Sequence, residues 1–537
     1  MALADAAWAP LRRPLFRAIW IATLASNIGT WMQNVGAAWL MTSLAPTPLS
    51  VSLVQAASNL PFFLLALPAG ALADVIDRRR LMLAAQSWLF AAAAGLGALT
   101  LFGMAGPGTL LGFTFAIGVG SALSAPALAA IVPELVSHTE IEFAVSLNGI
   151  SMNLARAVGP ALGGWVVGWA GAGATFALNA LSFLAVIAAI APWQRPPRDG
   201  RLPPEDLLGA IRAGLRYVRH NPELQTIMLR TGSFALPASA VWALLPLYAR
   251  QQMALGPSGY GALLACFGVG AVAAGLLLPT LRRLLGIERL ATVSALVFAA
   301  ANASLGAVRV LPPRPEGLLV AGAALLVAGA AWLALLTTLN AAAQIAIPSW
   351  VRARAMAVYM LVLFGALALG SALFGALAAA VGVTRSFEIA GAAIALSRLA
   401  TFGRRLEEGP RPDFTPAPRW PAPEIVAAVD AGRGPVLVTI EYEIDPGDAE
   451  PFARAMRALS EVRLRDGALR WGLWTDAARP GRYLESFVVE SWAEHLRQHG
   501  RATAADRALQ ERARAYHRGA EPPRATHFVH ERMPERA

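Results

Sequence analysis

The chain has 537 residues, of which 56% are hydrophobic and 15% are charged. Soluble globular proteins carry about a quarter charged residues, so this composition excludes a wholly soluble protein and indicates one embedded largely in a membrane. The formal net charge of +11 does not indicate nucleic-acid binding, because the arginines fall in short loops between apolar segments, where they set membrane orientation.

The apolar segments have the length of membrane-spanning helices. A helix needs about 20 mostly apolar residues to cross ~30 Å of hydrocarbon, and open strands would leave backbone groups unsatisfied in lipid. Twelve segments qualify, which predicts an all-α polytopic membrane protein with two six-helix halves. The predicted spans are 15–41, 50–73, 81–103, 109–132, 143–169, 173–192, 228–249, 258–281, 289–308, 317–345, 354–381 and 384–402.

Composition changes along the chain predict five domains or linkers. A long loop with an amphipathic helix divides the two halves, and a proline-rich linker follows the second half. Two halves of six helices are typical of transporters in which the halves rock about a central site. The predicted divisions are 1–192 (first half), 193–227 (loop with amphipathic helix), 228–405 (second half), 406–435 (proline-rich linker) and 436–533 (soluble α/β domain).

The arginines are distributed unevenly between the two sets of predicted loops. Nineteen fall on one side, whereas the opposite loops hold only Arg250, Arg309, Arg314 and Arg385. The positive-inside rule therefore predicts a multi-pass protein of the bacterial cytoplasmic (inner) membrane with both termini in the cytoplasm.

The loop between the second and third predicted helices has the sequence GALADVIDRRR, starting at Gly70. It resembles the G-x-L-A-D-r-x-G-R-R loop of the major facilitator superfamily, and the resemblance extends across all twelve predicted helices. We expect Gly70 to permit close helix contact. The resemblance implies that Asp74 pairs with loop arginines and with the start of the eleventh helix, although a solvated loop charge is the alternative. The gating residues so implied are Gly70, Asp74, Asp77, Arg78, Arg79, Arg80, Arg352 and Arg354.

The fifth predicted helix contains ARAVGPALGG, starting at Ala155. This segment looks like the tail of the G-x-x-x-G-P-x-x-G-G signature of antiporter-type members, which implies export rather than uptake. The matching positions are Gly159, Pro160, Gly163 and Gly164. Ordinary packing of small residues between helices is the alternative interpretation.

Polar residues inside the apolar segments predict a path for substrate. Arg156 lies near the predicted midplane, where an isolated arginine costs at least ~2.5 to 3.5 kcal/mol, so it should face a cavity. Binding an anionic substrate group and pairing with a buried acceptor are both open for Arg156. The predicted path residues are Asn27, Gln33, Asn34, Asn153 and Arg156.

Coupling to protons requires a carboxylate whose pKa is raised by burial. The candidates are Asp74, Glu134 and Glu388, and a gating or structural role is the alternative for each.

The residues after the proline-rich linker predict the order βαββαβ, which is ferredoxin-like. The predicted strands are 436–444, 469–475, 483–490 and 526–532, and the predicted helices are 449–465 and 492–517. The domain resembles the dimeric α/β-barrel domains of antibiotic-biosynthesis monooxygenases. His495 and His499, one helical turn apart, suggest a metal site, but two histidines without a third ligand are more often surface residues. We therefore expect no metal, no cofactor and no catalytic residue, and interpret the domain as a regulatory or self-associating module.

The segments starting at Trp242 and Ile347 also resemble the drug and siderophore exporters of the superfamily, of which the enterobactin exporter is one type. The resemblance implies a secondary active exporter of small amphipathic molecules, a drug, siderophore or secondary metabolite, by alternating access and proton antiport. The alternatives are an exporter whose tail modifies its cargo, and a membrane-anchored sensor without transport. The expected partners are substrate, protons, the lipid bilayer and a second copy of the tail, with no nucleic acid.

Overall fold

The computed structural model describes residues 8–193, 207–307, 316–406, 413–415, 417, 430 and 432–531. The chain divides into two compact units. The first unit comprises Met1–Leu207, Thr226–Ala343 and Ala357–Glu408, and the second comprises Leu208–Gln225, Gln344–Met356 and Gly409–Ala537.

Long helices follow one another from the N-terminus to residue 400. Their ends carry the expected signals, since proline occupies the first turn where no backbone N–H is needed, and the Asp77 carboxylate caps its helix by accepting from Arg80 N at 3.0 Å. The helices are α1 Pro14–Leu44, α2 Pro48–Val75, α3 Arg78–Leu101, α4 Pro107–Leu135, α5 Ile141–Ala170, α6 Ala172–Ile190, α7 Leu207–Arg219, α8 Pro222–Leu247, α9 Pro257–Ala307, α10 Glu316–Ile345, α11 Arg352–Val381 and α12 Val383–Ala400.

Helix α9 is 51 residues long but is interrupted at Gly286, where φ is 72° and ψ is 171°. A continuous helix of that length would extend about 76 Å, more than twice the hydrocarbon thickness of a bilayer. Glycine tolerates the positive φ at the break. The break falls between the two helices that the sequence predicts at 258–281 and 289–308.

Eight helices among the described residues are long and apolar enough to cross a membrane. Helices α1, α5 and α12 are not among these eight. Polar residues such as Gln33 in α1 and Arg156 in α5 lower the mean hydropathy of those helices. The count of twelve spans therefore stays a prediction.

Within the first unit, α5 is a central packing element. It packs against α1 and α9, while α1 also packs against α6, and α3 packs against α4 and α6. One buried cluster of apolar side chains joins the early helices through Phe16, Ile19, Met82, Ile131 and Ile190. The contact between α5 and α9 joins the helices of the two predicted halves.

The C-terminal domain is a four-stranded antiparallel sheet with helices packed on one face. Its strands are β1 Val436–Glu443, β2 Ala468–Thr475, β3 Arg482–Val489 and β4 Ala525–Val529, in the order β2-β3-β1-β4. Its helices are α13 Ala449–Asp466, α14 Trp492–Arg501 and α15 Ala504–Arg514. Alternate residues of β1 point inward onto α13, and Phe452, Met456 and Leu459 of that helix are fully buried.

One expectation for this domain is wrong. The sequence predicts a single helix from Trp492 to His517, but two helices occupy this region. The first ends at Arg501, and Thr503 begins the second with a capping box, in which its hydroxyl accepts from Asp506 N at 3.3 Å and the Asp506 carboxylate accepts from Thr503 N at 3.0 Å.

A buried carboxylate lies in the core of the C-terminal domain. Glu485 accepts hydrogen bonds from Arg463 Nε at 2.9 Å, Tyr442 OH at 3.1 Å and Trp471 Nε1 at 3.1 Å. The Arg463 and Glu485 side chains are 3% and 0% exposed. Burial, reinforced by the Glu485 charge, raises the pKa of Tyr442, so the phenol stays protonated and donates.

Candidate functional site

A cavity of about 170 Å³ lies among the helices of the first unit. Seven helices contribute to its wall, so no single segment of sequence forms it. The lining residues are Trp31, Asn34, Val35 and Ala38 of α1; Val51, Val54, Gln55 and Ser58 of α2; Arg156 of α5; Trp242 of α8; Tyr260 and Leu264 of α9; Trp332 of α10; and Leu367 of α11.

Aromatic rings form much of the cavity wall. The ring centroids of Trp31 and Trp242 are 6.0 Å apart, and those of Trp242 and Trp332 are 5.9 Å apart with an interplanar angle of 72°. These distances are within the range of favourable aromatic pairs. The sequence interpretation missed Trp31, Trp332 and Tyr260 as site residues. The sequence did carry a signal for the tryptophans. In membrane proteins tryptophan is enriched at the membrane–water interfaces, near the ends of spanning helices, whereas Trp31 and Trp332 lie well inside their helices.

Arg156 is the only charged residue among the described residues that line the cavity. Its guanidinium carbon is 5.9 Å from the ring centroid of Trp31, a cation–π distance. Among the described residues, neither a hydrogen bond nor an ion pair reaches its side chain. The buried acceptor that the sequence left open as a partner is therefore not found in the described part of the chain.

The structure brings together two of the five predicted path residues. Asn34 and Arg156 both line the cavity. Asn27 instead donates to Ser151 Oγ at 3.3 Å. Gln33 is buried, and its Oε1 accepts from Asn179 Nδ2 at 2.6 Å, so it joins α1 to α6. Asn153 is half-buried on α5 and is not among the lining residues.

The glycines of the antiporter-type motif allow the helix that carries Arg156 to pack closely on both sides. A Cβ atom at Gly159 would lie 2.5 Å from Trp31 Cβ, and one at Gly163 would lie 2.8 Å from Met32 Cα, both in α1. A Cβ at Gly164 would lie 2.9 Å from Gly261 Cα in α9. Any side chain at these positions would push α5 away from the walls of the cavity.

The predicted gating loop forms several defined contacts. Arg78 Nη1 is 2.6 Å from Glu134 Oε1 and also donates to Ala130 O at 2.9 Å, so it joins the start of α3 to the end of α4. Arg79 donates to Ala191 O at 2.5 Å, whereas Arg80 is exposed. These contacts place the arginines against backbone and side-chain oxygens of the first six helices.

The close helix contact expected at Gly70 is not observed in the described part of the chain, where a Cβ atom added to Gly70 would meet nothing within 4 Å. The Asp74 side chain lies outside the described residues, although its backbone belongs to the last turn of α2. Its pairing with Arg352 and Arg354 at the start of α11 stays a prediction.

The two described proton-coupling candidates lie in different surroundings. Glu134 forms the ion pair with Arg78, and both side chains are partly exposed. Glu388 lies against Gly306, whose added Cβ would be 2.5 Å from Glu388 Cγ.

The sequence interpretation missed a further carboxylate, Glu288, just after the break in α9. Its two oxygens accept from the buried Arg230 of α8 at 2.6 and 2.9 Å, and Leu406 N donates to it at 2.9 Å. Arg398 of α12 is 3.4 Å away. Glu288 therefore joins three helices of the second predicted half, and the lone arginine within apolar α8 was the signal for it.

In the C-terminal domain, His495 Nε2 and His499 Nε2 are 3.2 Å apart. Burial, followed by the neighbouring His499 and His527, lowers the pKa of His495 to about 3. In the described part of the chain, no group of three or more His, Cys, Asp or Glu residues could hold a metal ion. Trp471 Nε1 donates to Glu485 at 3.1 Å in the core of this domain, whereas Trp474 is 61% exposed.

Comparisons with known proteins agree with a transporter. A family model described as transmembrane secretion effector matches residues 5–535. The staphyloferrin A transporter of Staphylococcus aureus is 24% identical over 277 residues, which cover 50% of this chain and 68% of the relative. The multidrug efflux pump Tap of Mycobacterium tuberculosis is 30% identical over 319 residues, which cover 57% of this chain and 73% of the relative.

Solved structures show the same fold in the helical region. A crystal structure of a mutant of the nucleoside transporter NupG aligns with 72% of this chain and 99% of its own length, with a TM-score of 0.60 and 12% sequence identity. At this identity the likeness concerns the fold alone.

Proposed function

Because the chain belongs to the transmembrane secretion effector family of major facilitator transporters, we propose that it is a secondary active exporter of small amphipathic molecules. The observation that carries this proposal is the cavity lined by Arg156 and by three tryptophans, Trp31, Trp242 and Trp332. Apolar rings suit the apolar part of a substrate, and a few polar groups suit its polar part. Relatives named as a multidrug pump and a siderophore transporter support drugs, siderophores or secondary metabolites as cargo.

The proposed mechanism is alternating access by two halves of six membrane-spanning helices. Eight described helices meet the length and apolarity of a span, and counting the two parts of α9 separately gives nine. Helices α1, α5 and α12 bring the total to twelve, and their polar residues are tolerable where they face the bundle. The arginine distribution supports a bacterial cytoplasmic membrane location with both termini in the cytoplasm.

The proposed gate is the loop from Gly70 to Arg80. The ion pair between Arg78 and Glu134 supports a role in fixing one arrangement of the first six helices. Asp74 would complete the gate by pairing with Arg352 or Arg354, since an anion is stabilised near a helix N-terminus.

Proton antiport is the proposed source of energy. Glu134 is one candidate for the coupling carboxylate, because its ion pair with Arg78 joins the start of α3 to the end of α4. Asp74 and Glu388 are the other candidates.

The tail is proposed to be a ferredoxin-like module that associates with a second copy of itself. The strand order β2-β3-β1-β4 supports the topology. Leu437, Trp474 and Phe528 are 37%, 61% and 53% exposed on the sheet, which supports an apolar contact surface. A tail that modifies cargo and a sensor without transport remain the competing functions.

Export is tested in cells that accumulate a fluorescent amphipathic dye. Expression of the chain should lower accumulation, and a proton uncoupler should restore it. Arg156→Ala should reduce export by about tenfold or more, because a hydrogen bond to a charged group is worth roughly 1.5 to 3 kcal/mol. The amount of variant in the membrane should stay unchanged, since removing the charge eases insertion.

Normal export by Arg156→Ala would contradict the proposed path. Deletion of residues 430–537 separates the competing functions. Export should survive the deletion if the tail is an accessory module, the exported product should change if the tail modifies cargo, and absence of export from the intact chain favours the sensor.

A further inference from the structure

The charge of the cavity is unbalanced. Its described lining contains one cation, Arg156, and no carboxylate. The face of Trp31 compensates the guanidinium only in part, because a cation–π contact is weaker than an ion pair in an apolar environment. A desolvated cation without an anionic partner favours binding of an anion and disfavours binding of a second cation.

We propose that the cavity is selective for organic anions with a planar apolar body. A carboxylate would bind the Arg156 guanidinium, whose parallel N–H groups match two carboxylate oxygens. The planar body would pack against Trp31, Trp242 and Trp332, and Asn34 and Gln55 offer neutral hydrogen-bonding groups beside it. This inference rests on the proposed function, because it specifies the substrate class of the same cavity.

The test measures binding rather than transport, using the purified full chain in lipid nanodiscs. Three probes share one naphthalene ring and differ in charge: 2-naphthylacetate, 2-naphthylacetamide and 2-naphthylethylammonium. Calorimetry should give an affinity for the acetate about tenfold or more above that for the amide, with the ammonium weakest. Arg156→Gln should remove this order, while Arg156→Lys should keep it.

Arg250→Gln is the matched control. Arg250 also lies over a tryptophan, with its guanidinium carbon 5.8 Å from the Trp39 ring, but it donates to Thr42 Oγ1 at 2.9 Å and to Ser43 Oγ at 2.8 Å and does not line the cavity. The preference for the anion should persist in this variant.

The inference is overturned if the ammonium binds as tightly as the acetate, if the preference persists in Arg156→Gln, or if no probe binds. Export of a dye by a protein without anion preference would leave the proposed function intact. Selective binding of the acetate by a protein that exports nothing would contradict the proposed export function but not the anion selectivity of the cavity.

A second, independent observation concerns the second unit. Three separate parts of the chain meet there: the helix α7, the segment Gln344–Met356 and the C-terminal domain. Arg216 of α7 is 3.0 Å from Glu494 at the start of α14, and Arg212 is 3.1 Å from Glu490. Glu494 is also bound by Arg501 at 2.6 Å.

Trp350 and Tyr217 extend the contact between α7 and the C-terminal domain to the segment Gln344–Met356. The Arg501 guanidinium carbon lies 4.6 Å from the ring centroid of Trp350, and Tyr217 of α7 meets the same tryptophan edge-on at 6.1 Å. Tyr217 OH donates to Ala346 O at 2.9 Å, and Arg465 of the C-terminal domain lies 5.7 Å over the Tyr217 ring.

The centre of this contact is buried, whereas the Arg212 and Glu490 side chains at its edge are 63% and 54% exposed. Tyr217 and Arg501 are 1% and 5% exposed. The Arg216 and Glu494 side chains are partly buried, and two further hydrogen bonds from Arg501 to Glu494, at 2.6 and 3.1 Å, help to offset the desolvation of this carboxylate.

We infer that the C-terminal domain is an intramolecular clamp that binds α7 and Gln344–Met356 together and slows transport. The two segments belong to different connections, since α7 precedes α8 whereas Gln344–Met356 joins α10 to α11. Rearrangement of the helices would have to move these connections relative to each other against the clamp. This inference also rests on the proposed function.

The test joins the clamp covalently in the full chain. In a Cys266→Ala background, Arg212→Cys with Glu490→Cys should react with a short bifunctional methanethiosulfonate to form an intramolecular cross-link. Transport should then fall about fivefold or more, the lower end of typical coupling between sites, and a reductant should restore it. Arg212→Cys with Glu450→Cys is the control, because Glu450 pairs with Arg454 on the exposed surface of α13.

Absence of the cross-link would overturn the contact itself, independently of any transport assay. A cross-linked protein that transports at the rate of the reduced one would overturn the restraining role. Cross-linking in the control pair at an equal rate would show the contact to be non-specific and would also overturn the inference.

Discussion

Replacing Gly164 by valine is expected to impair transport severely. A Cβ atom at this position would lie 2.6 Å from Pro257 O and 2.9 Å from Gly261 Cα, so both of the nearest obstacles are backbone atoms of α9. Backbone cannot turn away as a flexible side chain can, and over-packing in tight contacts costs about 1 to 3 kcal/mol or more. Helices α5 and α9 would have to separate, which would displace Arg156 and Tyr260 in the cavity wall. Transport should fall at least about tenfold, since 1.4 kcal/mol corresponds to a factor of ten.

Gly168→Val is the matched control on the same helix. An added Cβ there meets only Pro257 Cγ, at 3.8 Å, which is an ordinary contact. Transport rates in proteoliposomes and thermal denaturation of the purified variants are the measurements. Equal behaviour of the two valine variants would show that close packing of α5 on α9 is not required.

The substitution Glu485→Ala should lower the stability of the C-terminal domain more than any substitution of an exposed residue in that domain. The change leaves the Arg463 guanidinium buried without its carboxylate and removes the acceptor of Tyr442 OH and Trp471 Nε1. Breaking a buried pair by removing one partner costs about 3 to 5 kcal/mol. That loss is a large fraction of the stability of a small domain.

The measurement is urea-dependent proteolysis of the full chain, with cleavage of the C-terminal domain followed on gels. Glu450→Ala is the control, because Glu450 forms an exposed i,i+4 pair with Arg454 whose removal should change little. An equal urea midpoint for the two variants would contradict a stabilising role for the buried pair.

Within the C-terminal domain, the sequence predicts most element positions closely. Helix 449–465 is observed as Ala449–Asp466, and the first predicted strand is observed as Val436–Glu443. These elements follow from local periodicity, since alternate residues of β1 face the core. The prediction of one helix over 492–517 was wrong, because the capping box at Thr503 is a local signal that begins a new helix within a longer apolar pattern.

The sequence by itself determined the class of the protein, because long apolar segments and loop arginines are local properties of the chain. Its family was indicated by the resemblance of short motifs such as the loop from Gly70 to Arg80. It also identified Arg156 as a costly charge that requires a cavity. It did not identify Trp31, Trp332 and Tyr260 as neighbours of that charge. Only the tertiary structure decided this, because the rings come from helices far apart in the sequence, and their meeting depends on close packing at glycines such as Gly164.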